Sequence, residues 1–160
     1  MARVAALSGA AILDTSWLLE LYRVPRYFKE SRTLPVRTET ADLVQAGGEL
    51  FVTVPVPFEV ATHITHVRDG RRRRNLAERL RDDIRNSLDR ESPWTVATNG
   101  LDILLRSEDL VQLAQRFLES SGNGYSFADI SVIDLSIRLR RPGKLVKILA
   151  FDKQLTAYSD

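Results

Sequence analysis

Residues 10–19 read AAILDTSWLL, and the reading of that stretch decides the architecture. Residues 10–13 are a short apolar run of strand type that ends at Asp14. After Thr15 and Ser16, the residues Trp17, Leu18, Leu21 and Tyr22 recur at spacings of one, three and four, which is the apolar stripe of a helix. A strand that passes directly into a helix is the opening of an alternating α/β chain.

Outward from there the alternation continues. Strand-type runs recur at residues 50–54, 94–98 and 145–151. A helix over 38–46 is closed by Gly47-Gly48. Another runs from about Pro57 to His66, because proline is tolerated in a first helical turn. Pro25 and Pro35 bracket a polar connection, and Asp69-Gly70 is a turn. From Arg71 the spacing Leu76, Leu80, Ile84, Leu88 marks a helix coated in charge. Residues 107–119 carry Leu110, Leu113, Ala114, Phe117 and Leu118 on a further helix. Residues 120–124, SSGNG, form a loop. A helix over 126–140 stops at Arg141-Pro142-Gly143. The whole predicts a mainly parallel sheet with helices on both faces.

Composition bounds what such a chain does. Its 160 residues suit one domain over 1–160, with residues 1–9 as a short tail, and 44% hydrophobic content closes one core. No apolar run is long enough for a membrane span, and the N-terminus lacks the distinct apolar core of a signal peptide. Cysteine is absent, which removes disulfides, thiolate zinc sites and thiol nucleophiles and agrees with a cytoplasmic location. A net charge of +2 announces no nucleic-acid binder by itself, so the placement of the carboxylates carries the argument.

Asp14 directly follows the first strand and Asp152 the last. Glu59 falls in the first turn of the helix after the second strand, and Asp129 in the first turn of the helix opened by Ser126. If the strands are parallel neighbours, all four acids face the edge where open α/β sheets bind ligands. Four carboxylates cannot share a pocket ionised without a compensating charge. Such hard oxygen donors suit Mg²⁺, with Mn²⁺ able to substitute, and two such ions would clamp a phosphodiester. Each acid also has a plainer role. Asp14 and Asp152 suit helix N-caps, Ser126 with Asp129 suits a capping box, and Glu59 suits a first turn.

ILDTSWLL around Asp14, VPFEVA around Glu59, SFADISVIDLS around Asp129 and ILAFDKQL around Asp152 resemble, in order and spacing, the PIN-domain proteins. The likeness is greatest to the toxin ribonucleases of VapC-type toxin–antitoxin pairs and spans Ile12 to Leu155. The resemblance implies a three-layer α/β/α sandwich and a Mg²⁺-dependent endoribonuclease cutting RNA by metal-activated water. It further implies a homodimer and a cognate antitoxin protein. The acids Asp14, Glu59, Asp129 and Asp152 would be catalytic and metal-binding, with Thr15 and Ser16 in support. Family members often carry Thr or Ser two residues before the last Asp, where this chain has Ala150.

Arg71, Arg72, Arg73 and Arg74 could grip RNA phosphates, or form a solvated face supported by the i,i+4 pairs Arg74–Glu78 and Arg79–Asp83. Glu59, His63 and His66 could share a helical face as a metal site, although the helix carries the histidines away from the strand ends. Asp134 lies off the face of Asp129 and is secondary. The Trp17, Leu18, Leu21, Tyr22 stripe reads first as core. SSGNGYSF follows no strand and does not form a nucleotide-binding loop. Two other functions compete: a catalytically silent binding module whose acids only cap helices, and a metal-dependent phosphoesterase acting on DNA.

Overall fold

The computed structural model of the chain describes residues 9–89, 92–97 and 107–159, for residues 107–109 the backbone alone. Apart from Gly9, the expected N-terminal tail lies outside the described residues, as does Thr98 of the expected strand 94–98. In chain order the elements are β1 (Ala10–Leu13), α1 (Thr15–Leu21), α2 (Glu30–Gln45), β2 (Glu49–Val52), α3 (Pro55–Thr65) and α4 (Gly70–Leu88). There follow β3 (Thr95–Val96), α5 (Ser107–Glu119), a 3₁₀ turn (Ser121–Asn123), α6 (Phe127–Leu139), β4 (Val146–Leu149) and α7 (Lys153–Thr156).

The four strands form one sheet in the order β3-β2-β1-β4, and every pairing is parallel. Helices flank it, giving the α/β/α sandwich. All four residues of β1 are buried, as a strand covered on both faces requires. Edge strand β4 turns Lys147 outward, where it ion-pairs with Glu39 of α2; a charged edge discourages pairing with other chains. From β1 the chain moves to β2 and β3 on one side, then returns to lay β4 on the other. The sheet's switch point therefore lies between β1 and β4, and the crevice beyond the carboxyl ends at such a point is where open α/β sheets bind ligands. Among the described residues no helix is long and apolar enough to cross a membrane.

Several boundaries differ from expectation, each for a local reason. The second helix begins at Glu30 rather than 38 and contains Pro35. Proline removes the hydrogen bond that the Ser31 carbonyl would accept, but Ser31 lies at the surface, where water offers a substitute. The helix start is also held from outside: both carboxylate oxygens of Glu20 accept the Lys29 N–H at 3.1 Å. Past the C-cap Ala46 of α2, Gly47 turns the chain with φ +76°, and a Cβ on Gly48 would sit 2.9 Å from the Leu43 carbonyl oxygen, so glycine is required there. Helix α3 starts at Pro55, two residues early, which moves Glu59 from the first turn to the second. Strand β4 stops at Leu149, leaving Ala150 and Phe151 between it and Asp152. The strand expected at 94–98 is reduced to Thr95–Val96.

Two apolar stripes are only partly used. On α4, Leu76 and Leu80 are buried but Leu88 is exposed; on α5, Leu113 is buried whereas Leu110, Phe117 and Leu118 are exposed.

Candidate active site at the strand ends

Asp14 ends β1 and caps α1. Its Oδ2 accepts the Ser16 N–H at 3.0 Å and the Ser16 Oγ–H at 2.6 Å. The residue is only 5% exposed, and burial pushes its carboxyl above the usual value. The Ser16 bonds oppose that shift, and the negative charge of Asp129 adds to it. Asp14 and Asp129 thus feel one another although 115 positions separate them in sequence (129 − 14).

Glu59 reaches the same rim by a different contact. The Thr15 hydroxyl, adjacent to Asp14, donates to Glu59 Oε2 at 2.8 Å. Asp129 is the third residue of α6 and completes a capping box: its Oδ2 accepts the Ser126 N–H at 2.6 Å while its own N–H donates to Ser126 Oγ at 3.1 Å. Asp152 is exposed and caps α7 by accepting the Gln154 N–H at 2.8 Å. Tyr125 lies within electrostatic reach of these last two. It is buried, its hydroxyl pKa is raised first by that burial, and Tyr158, Asp152 and Asp129 raise it further.

The strand register explains the common rim. Leu13 pairs with Leu149, and the Asp14 N–H donates to the Leu149 carbonyl at 3.0 Å. Asp14 and the 150–152 turn therefore leave the sheet side by side. Ser16 ties them together, because its Oγ accepts the Phe151 N–H at 3.1 Å while donating to Asp14. Across the site, buried Thr53 after β2 and buried Ser131 of α6 share a 2.7 Å hydrogen bond, which sets α6 and hence Asp129 against the sheet.

The plainer roles of the acids are also present, since Asp14, Asp129 and Asp152 all cap helices. Among the described residues, no three acid or histidine side chains stand close enough together to hold a metal ion. Each aspartate is turned toward backbone N–H groups, and unscreened carboxylates repel one another. Capping does not exhaust a carboxylate, which offers about four lone-pair sites. None of the four acids ion-pairs with Lys or Arg among the described residues. An all-carboxylate set with one member buried and no basic partner suits a hard divalent cation in chemistry.

The other candidates separate from this rim. His63 packs on the Tyr27 ring at 4.3 Å. Its Nδ1 is buried without a partner, and burial lowers its pKa while Glu59 opposes that. His66 is exposed at the C-cap of α3. Of the arginines, Arg72 donates to the Arg23 carbonyl at 3.0 Å, Arg73 to the Val67 carbonyl at 3.1 Å and Arg74 to Glu78 at 3.0 Å. The first two contacts staple α4 to the ends of α1 and α3, the third lies within α4, and all four arginines are exposed. Asp134 is buried and ion-paired with Arg116 and, at 2.8 Å, with Arg138, a clamp between α5 and α6. Trp17, Leu18 and Tyr22 are buried as core residues, with Leu21 half-buried.

Sequence reasoning missed Glu20, Arg32, Thr53, Tyr125 and Ser131. Glu20 falls outside the Trp17, Leu18, Leu21, Tyr22 stripe yet is fully buried, because α1 is covered on more than that one face, Leu19 included. Nothing local marks Thr53 and Ser131, whose bond joins residues 78 positions apart. No family model matches the chain, and a search of curated proteins finds no match.

Proposed function

We propose that this chain is a Mg²⁺-dependent endoribonuclease of PIN type, the toxin of a toxin–antitoxin pair. One observation carries the reading. Asp14 is buried at the switch point of a parallel sheet, within the field of Asp129 and one residue from the hydroxyl that binds Glu59, and among the described residues no basic side chain ion-pairs with it. A buried carboxylate beside another is costly unless a cation compensates.

Asp14, Glu59, Asp129 and Asp152 would hold the metal only after turning from the N–H groups that the aspartates cap, because no three of them stand close enough as they are; Mn²⁺ would substitute. The bound ion would supply an activated water and charge neutralisation at the phosphodiester. The chain's own groups prepare that site. Ser16 orients the Asp14 carboxylate and favours its ionised form. Thr15 fixes the Glu59 rotamer. Asp129 is held by its capping box and Asp152 by the turn into α7. Asp152, exposed beyond the end of β4, is the member of the set that solvent reaches most freely. The same reading carries an RNA substrate, a homodimer, a cognate antitoxin that blocks the crevice, and a cytoplasmic location. Arg71, Arg72, Arg73 and Arg74 are all exposed and would meet RNA phosphates, the last three by giving up their present contacts.

The capping geometry supports a second reading, a silent binding module whose aspartates serve only the helices. The test is cleavage of RNA and matched DNA in Mg²⁺, in Mn²⁺ and in EDTA, with the parent and Asp14→Asn. Metal-dependent cutting of RNA alone, lost in Asp14→Asn while the circular dichroism spectrum is kept, supports the ribonuclease. Equal cutting by parent and variant overturns it, cutting of DNA moves it to a phosphoesterase, and no cutting by the parent favours the silent module.

A further inference from the structure

The turn that bears Asp152 is gripped from α2. Phe151, immediately before Asp152, stacks on Trp17 with centroids 5.4 Å apart and planes 25° apart. The Arg32 guanidinium carbon lies 3.9 Å from the Phe151 centroid, well inside cation–π range. Arg32 is itself fixed: it ion-pairs at 3.3 Å with Glu20, which is wholly buried, and Glu20 is locked by the Lys29 N–H and, at 2.9 Å, by the Thr33 hydroxyl. From the gripped residue, the Phe151 N–H donates to Ser16 Oγ, and Ser16 donates to Asp14. A continuous path thus runs from a buried acid on α1, through a cation and a ring, to the backbone beside one candidate ligand and the hydroxyl that orients another.

We infer that Arg32 is a positioning residue of the strand-end site: by holding the Phe151 ring it fixes the 150–152 turn, so that Ser16 stays bonded to Asp14 and Asp152 faces the crevice. Where a hydrogen-bonded support behind metal ligands is removed, metal affinity falls about 10–100-fold. This inference uses the ribonuclease reading for its consequence on metal binding, while the clamp itself is measurable without metal.

The experiment uses the full chain and the variants Arg32→Met, Arg32→Lys and Phe151→Leu, with two readouts. The first is hydrogen exchange of the residue 151 amide in EDTA, corrected for intrinsic rate. The parent amide is protected by Ser16, and we expect at least a roughly tenfold loss of that protection in Arg32→Met and Phe151→Leu, with partial recovery in Arg32→Lys, whose ammonium still sits over a ring. The second is Mn²⁺ affinity by calorimetry, expected to fall about 10–100-fold in the same two variants, with little further loss when both changes are combined. Phe151→Leu leaves the Arg32–Glu20 pair intact, so the result stands even if Arg32→Met fails to fold. Parent-like protection of residue 151 in folded variants overturns the clamp, as does parent-like Mn²⁺ affinity. A parent that binds no Mn²⁺ sinks the ribonuclease reading instead, and the exchange data then decide the clamp alone.

Discussion

Replacing Ser16 by alanine tests the geometry of the site without assuming any activity. The Ser16 hydroxyl makes two bonds, a 2.6 Å donation to the Asp14 carboxylate and a 3.1 Å acceptance from the Phe151 N–H. A hydrogen bond to a charged partner is worth about 1.5–3 kcal/mol and a neutral one about 1 kcal/mol. Ser16 is half-buried, so water can reach part of the vacated space, and the expected net loss is about 1.5–2.5 kcal/mol. In a chain of 160 residues each kcal/mol moves Tm by about 2–4 °C, so Tm should fall by about 3–10 °C. The assay is thermal unfolding by circular dichroism in EDTA, with Ser16→Thr beside it as the variant that keeps a hydroxyl. Ser16→Thr should lose less than half as much. A Ser16→Ala protein melting within about 1 °C of the parent would refute the claim that this hydroxyl joins β1 to the 150–152 turn.

Further predictions bear on charge. In metal-free buffer Asp14→Asn should melt at or above the parent, because it removes a buried charge that burial and Asp129 both disfavour. Mn²⁺ at 100 times its Kd should raise the parent's Tm by about 5–10 °C and leave the variant unmoved; equal shifts in both proteins argue against Asp14 as a ligand. Because the folded carboxyl of Asp14 titrates above its ordinary value of 3.8, its contribution to stability is full below that value and is lost as pH rises through the folded value. The parent's denaturation midpoint in EDTA should therefore fall relative to that of Asp14→Asn over this window, and parallel profiles would contradict the shift. Asp134→Asn should cost about 1–2 kcal/mol by urea unfolding, less than the loss of a fully buried pair because Arg116 and Arg138 remain partly exposed. Thr53→Val should cost about 1 kcal/mol, since Ser131 keeps its second bond to the Ala128 carbonyl.

Much of the architecture can be read along the chain, because it rests on short-range physics. Short apolar runs mark β1, β2 and β4, the last broken only by Lys147, residues at helical spacing mark α1 and α4, and Ser126 with Asp129 announces the start of α6 as a capping box. The acids after β1 and β4 follow from the same periodicity once the strands are parallel. What local pattern leaves open is set by contacts between distant segments. Helix α2 runs through Pro35 because Glu20, nine residues upstream of Lys29, holds its first turn. Asp152 stands beyond the strand end because the Phe151 N–H is claimed by Ser16, 135 positions away. The pairing of Thr15 with Glu59 and the grip of Arg32 on Phe151 likewise need the folded chain. Periodicity encodes which face of an element turns inward; the partner waiting there is chosen only when the layers pack, since a hydrogen bond or ring contact depends on ångström distances that no spacing along one segment contains.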